Sequence, residues 1–218
     1  MADQYSLNQD LQIIIDGINQ TFEAKTQVRD RTLSRSRELI RHCANSIRAT
    51  HRGDEADAQA LLDTANEVAA TMIAEAQQYP DVYHAGYTQD GLKELAEAHI
   101  TQAIILRQPL PTPELLNIEL AAYLNGMAEG ASELRRFALD ALRRGDVNRA
   151  EEMLERMDEI YSILVTVDFS SAITGGLRRS TDVLRGVLER TRGDVTTAVR
   201  QEAMRAALKQ FEQRIDLE

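Results

Sequence analysis

Apolar residues recur three or four positions apart along most of the chain, the spacing of one face of a helix. Between residues 7 and 52 they fall at Leu11, Ile14, Ile15, Ile18, Phe22, Val28, Leu33, Leu39, Ile40 and Ile47, which predicts one uninterrupted helix. A rod of that length exceeds the usual helix of a small globular domain, so it is expected to meet other subunits as well as its own core. His51-Arg52-Gly53-Asp54 ends it and caps a second helix over 55–78, which stops before Pro80. A loop over 80–88 leads to a third helix over 88–107. Pro109, Pro111 and Pro113 then impose a short extended linker. A fourth helix covers 119–144 and closes on Arg143-Arg144-Gly145-Asp146; a fifth covers 147–166. After Gly175-Gly176 comes a helix over 177–191, and Arg192-Gly193-Asp194 is read as a junction that restarts helix to Ile215. Residues 1–218 are therefore expected to form one all-α domain, a bundle of six to seven helices with a long N-terminal helix.

Composition agrees with that pattern. Four prolines, eleven glycines and few aromatics favour helix throughout. The formal net charge of −10 excludes a general nucleic-acid-binding surface, though not a local basic pocket. Cys43 is the single cysteine, which excludes an intramolecular disulfide and a thiolate metal cage. The N-terminus carries no signal pattern and no apolar run approaches the ~20 residues that span a bilayer, so a soluble, cytoplasmic protein without a membrane partner is expected.

Two apolar stretches keep carboxylates one helical turn apart. Leu92-Lys93-Glu94-Leu95-Ala96-Glu97-Ala98 is followed by no charge until Arg107, and between Leu120 and Leu134 the only charged residues are Glu129 and Glu133. Like charges at that spacing repel, and burying them is costly without compensation. A divalent cation compensates directly; an ion pair from Arg135 or Arg136 to Glu133 is the ordinary structural alternative. Gly126, Ala128, Gly130, Ala131 and Ser132 are small enough to admit another helix closely. Two acidic helices facing each other across such a seam suit a hard cation such as Mg²⁺, with Mn²⁺ as the alternative. A ferritin-like di-iron centre requires Glu-x-x-His, but Glu97 is followed at that spacing by Ile100 and Glu129 by Ser132. His99, two residues from Glu97, belongs to another side of the helix.

The segments Ser46–Gly53, Gly91–Ala98, Tyr123–Glu129, Gly130–Arg135 and Glu189–Asp194, in this order and spacing, make the chain similar to the translin family. The resemblance is closest to its catalytic branch, translin-associated factor X, and the prokaryotic homologues. It implies an all-α fold, assembly into a hollow homo-octamer, binding of single-stranded RNA (single-stranded DNA is the alternative) and Mg²⁺-dependent endoribonuclease activity. Carried over by position, Glu94, Glu97 and Glu129 fall on the family's catalytic acids and Glu97 and Glu133 on its metal ligands, so all four are expected at the metal. The catalytic branch carries Asp where this chain has Glu129, which leaves a non-catalytic nucleic-acid-binding protein of the same fold as the competing reading.

Arginines supply the candidate nucleic-acid contacts. Arg31 and Arg35, Arg37 and Arg41, and Arg48 and Arg52 each lie one turn apart on the first helix, a ladder suited to a phosphate backbone. Arg48, His51, Arg52 and Arg41 are the expected contacts, with Arg192 as a second patch alongside Arg178, Arg179 and Arg190. Pairing of these arginines with acids on neighbouring helices is the bland alternative. With few aromatics for stacking, binding is expected to follow the backbone with little sequence preference.

Overall fold

The computed structural model describes residues 6–215, and among these there is helix but no strand. Six long helices carry the fold: α1 (Leu7–Arg52), α2 (Glu55–Ala76), α4 (Gly86–Ile105), α6 (Leu120–Arg143), α7 (Val147–Leu164) and α9 (Leu177–Ile215). Three single turns, α3 (Pro80–Tyr83), α5 (Pro113–Leu116) and α8 (Ser171–Thr174), sit in the connections. The loop expected over 80–88 thus contains α3 and the start of α4. The proline linker ends in α5, whose first turn is capped by the Thr112 hydroxyl accepting from the Leu115 N–H.

Two of the three glycine junctions form as expected. Gly53 and Gly145 take up left-handed φ of 76° and 80°, and Asp54 and Asp146 cap the next helices by accepting from the N–H groups of Asp57 and Arg149. Arg192-Gly193-Asp194 does not break the chain; α9 runs straight through it. The reason is tertiary. Leu177, Thr181, Leu184, Leu188, Thr191 and Val195 form an unbroken buried stripe, so packing holds the helix across the glycine. Asp194 is also occupied, its carboxylate 2.9 Å from the Arg135 guanidinium.

The core has two parts. One lies among α1, α2 and α4 around Leu39, Leu62, Met72, Leu92, Leu95 and Ile100; the other lies among α6, α7 and α9 around Leu134, Met153, Met157, Leu164, Leu184 and Leu188. Ile104 and Met127 touch both, so the α4–α6 seam joins them. Beyond the body both long helices run on without cover. The first buried residue of α1 is Val28, and before it Leu7, Leu11, Ile13, Ile14, Ile15, Ile18 and Phe22 are exposed. Met204, Leu208 and Phe211 are exposed at the far end of α9. No described helix is long and apolar enough to cross a membrane.

Candidate metal and nucleic-acid site

The seam between α4 and α6 is closed by glycine. A Cβ at Gly126 would lie 2.5 Å from the Lys93 carbonyl oxygen, 2.7 Å from the Ala96 Cβ and 3.1 Å from the Glu97 nitrogen. A Cβ at Gly130 would lie 3.2 Å from the Thr101 hydroxyl and 3.3 Å from the Glu97 carbonyl oxygen. The backbones approach as the run of small residues predicts. Because Leu92, Leu95, Ala96 and Ala98 bury the rest of α4, Glu94 and Glu97 are directed along the seam toward Glu129.

Carboxylate oxygens of Glu94, Glu97 and Glu129 lie within 4.8 Å of one another, three acids from two helices converging on one point. Glu97 is pushed up to about 8 by burial first and then by the charges of Glu94, Glu129 and Glu133. Glu94 is also raised, by burial above all, although Lys93 opposes the shift. At neutral pH the metal-free cluster therefore retains a proton on Glu97. The Cys43 thiol, buried on α1 beside Glu94 and Glu97, is raised by burial and by both acids and acts as an apolar wall.

One cation, Lys93, borders the cluster. The Lys93 ammonium donates to the Glu129 carboxylate at 2.7 Å and stands 3.9 Å from Glu94. Burial lowers the Lys93 pKa, but Glu129 and Glu94 outweigh it and the net shift is upward. The sequence places no cation within a turn of Glu129 on its own helix; the neighbour comes from the facing one. Glu133 stands apart from the three converging acids. Its Oε1 is 2.9 Å from His51 Nε2. Neither Arg135 nor Arg136 takes it: Arg135 turns to Asp194 and Thr191.

His51, expected with Arg48 and Arg52 as a nucleic-acid contact, has a side chain that is 2% exposed, bonded to Glu133 and packed near the Phe137 ring, 6.4 Å between centroids. The last turn of α1 brings position 51 round to α6, whereas Arg48 and Arg52 stay outside, bound to Asn45 at 2.6 Å and Asp57 at 3.4 Å. Arg37 and Arg41 continue that exposed stripe, on the side of α1 away from Cys43 and the acids. Arg31 and Arg35 both grip Glu75 of α2, and Arg192 is held by Asp158 and Glu189; these follow the pairing alternative. His99 bonds Asn66 of α2 at 2.8 Å, away from Glu97 as the spacing requires.

No family model matches the chain. An uncharacterized protein of Methanocaldococcus jannaschii is 30% identical over 191 residues, covering 86% of this chain and 84% of the relative. Solved structures of AfC3PO, alone and as a duplex RNA complex, are 33% identical with a TM-score of 0.79, covering 86% of this chain and 97% of theirs. C3PO is the complex of translin and translin-associated factor X. This chain belongs to the translin family. Apo-NeC3PO, at 21% identity and a TM-score of 0.78, shares the fold.

The chain also brings to the site residues that pattern alone does not single out. Lys93 and Glu129 line a cleft of about 480 Å³ that continues past Asn125, Gly175 and Ser180. Buried Asn125 donates to the Thr174 carbonyl at 2.8 Å and accepts from the Ser180 hydroxyl at 2.7 Å, tying α8 and α9 to the cleft wall. The available signal was a polar residue inside an apolar helix. A cavity of about 690 Å³ between α4 and α7 is larger, but its charged walls are paired with one another, Arg107 with Glu152 and Arg156 with Glu159.

Proposed function

We propose that this member of the translin family is a Mg²⁺-dependent endoribonuclease that cuts single-stranded RNA within a homo-octameric shell, Mn²⁺ serving as the alternative ion. The observation that carries the reading is the convergence of Glu94, Glu97 and Glu129 to within 4.8 Å. Three carboxylates from two helices, whose mutual repulsion a cation relieves, fit a hard divalent ion that takes a few oxygen ligands and retains waters. Glu94, Glu97 and Glu129 would hold it, with Glu133, steadied by His51, one turn further along α6. A bound Mg²⁺ polarises a phosphate oxygen and makes water more acidic. Binding requires the Glu97 proton to leave. One of these carboxylates or a metal-bound water would take the proton of the attacking nucleophile.

Arg41, Arg48 and Arg52 on the exposed face of α1 are the proposed phosphate contacts, and Arg192 a more distant one. The uncovered apolar ends of α1 and α9 support assembly with further copies, since patches of this extent mark interaction surfaces. AfC3PO has been solved with duplex RNA, so both RNA forms belong in the assay. Labelled single-stranded and duplex RNA are incubated with the size-fractionated oligomer in Mg²⁺ and in EDTA. Products from single-stranded RNA in Mg²⁺ alone are expected. RNA retained but uncut with either Mg²⁺ or Mn²⁺ would leave the competing reading, a non-catalytic binding protein, which the Lys93–Glu129 pair and the glutamate at 129 favour.

A further inference from the structure

Lys93 is the one cation paired with the three converging carboxylates among the described residues. Lysine is scarce here, at 25, 93 and 209 only, and Lys93 is less exposed than the Lys25 that pairs with Asp81 on the surface. We propose that Lys93 is a resident counter-ion that holds Glu129 while the site lacks metal, and that metal entry redirects its ammonium into the cleft, where it binds an RNA phosphate. The inference rests on the metal-dependent ribonuclease reading and adds a residue to it.

Two observations and one electrostatic argument carry it. The Lys93 ammonium is 2.7 Å from one Glu129 oxygen, so it takes up a donor position that a metal would claim. A divalent ion among the acids and an ammonium on the same carboxylate repel each other strongly at this separation, so the two occupancies compete. The displaced ammonium has somewhere to go, because Lys93 and Glu129 both line the cleft that runs past Asn125, Gly175 and Ser180. A lysine stem is long and flexible enough to swing there with its backbone fixed on α4. The cleft then offers a phosphate one mobile positive charge, on a wall that also carries Asp90 and Glu119 and whose Ser180 hydroxyl and Asn125 amide are already bonded within the protein. Metal binding and RNA binding are coupled through a single side chain.

The test compares wild type with Lys93→Gln and Lys93→Arg, following Mn²⁺ binding by electron paramagnetic resonance without RNA. A second readout is the affinity for a cleavage-resistant phosphorothioate single strand, in Mn²⁺ and in EDTA. Lys93→Gln is expected to bind Mn²⁺ about fivefold more tightly, the effect of removing one partly exposed competing pair. It should lose RNA affinity in Mn²⁺ but not in EDTA, where the wild-type lysine is engaged with Glu129. Lys93→Arg keeps a cation on Glu129 and should bind Mn²⁺ no more tightly than wild type. Wild type binding Mn²⁺ while Lys93→Gln binds it equally or more weakly would overturn the inference and leave the nuclease reading standing. Equal RNA losses in Mn²⁺ and EDTA would likewise overturn the partner exchange. Failure of wild type itself to bind Mn²⁺ would remove the metal reading and this inference with it.

Discussion

Glu97→Gln is expected to abolish metal-dependent RNA cleavage and, in the same protein, to raise the stability of the metal-free chain at pH 8. The loss of activity should reach at least about 10³-fold, as for removal of a preorganised electrostatic group. The gain in stability follows from the position of Glu97. Its carboxyl is raised to about 8 by burial and by Glu94, Glu129 and Glu133, so the native state resists ionisation that the unfolded chain, near the ordinary value of 4.5, accepts. Between those values the unfolded state has released its proton and the native state has not; unfolding stability therefore falls as pH rises. The penalty is absent below about pH 4.5 and complete above about pH 8. Its ceiling is roughly 5 kcal/mol, and partial exposure and relaxation reduce it to on the order of 2 kcal/mol. Glutamine removes the penalty with nearly the same volume. Melting curves from pH 4 to 9 should show that wild type loses stability across this window more steeply than the variant. Mg²⁺ should restore wild type and leave Glu97→Gln unchanged. A variant less stable than wild type at pH 8 would mean that the carboxylate is already satisfied.

Gly126→Ala should be the most destabilising single methyl in the seam. Alanine favours a helix over glycine by about 1 kcal/mol, but its Cβ would stand 2.5 Å from a backbone oxygen and 2.7 Å from the Ala96 Cβ. Neither is the yielding tip of a side chain. The helices must separate, an overpacking cost of about 1–3 kcal/mol that is expected to exceed the propensity gain, and the three acids separate with them. Gly193→Ala is the internal control. Gly193 lies within α9 with nothing inside 4 Å of its Cβ position, so alanine there should stabilise by about 0.5–1 kcal/mol. Urea midpoints at unchanged slope measure both; shifts of the same sign would contradict the packing account.

The contrast between the two glycines also marks where sequence reasoning reached and where it stopped. Period and punctuation are local, so α1, α2, α4, α6 and α7 could be placed within a few residues, together with the αL glycines at 53 and 145. Gly193 looked the same as Gly145 but is spanned, because whether a glycine ends a helix depends on the stripe that packs on either side of it. The convergence of Glu94, Glu97 and Glu129 was legible because acids one turn apart in apolar helices leave few alternatives. Lys93 and His51 were not, since Lys93 reaches Glu129 and His51 reaches Glu133 only through contacts between helices, 36 and 82 positions apart. Arg31 and Arg35 looked like part of a phosphate ladder and pair with Glu75 of α2, which a helical face cannot reveal without its neighbour.

The central claim is that Glu94, Glu97 and Glu129 together grip one divalent ion. Crystals equilibrated with Mn²⁺ and measured at the manganese absorption edge test it most directly. One anomalous peak per protomer, bonded to oxygens of all three glutamates with Lys93 turned away from Glu129, is the predicted result. A seam without a peak at millimolar Mn²⁺, with the Lys93–Glu129 pair intact, would contradict it.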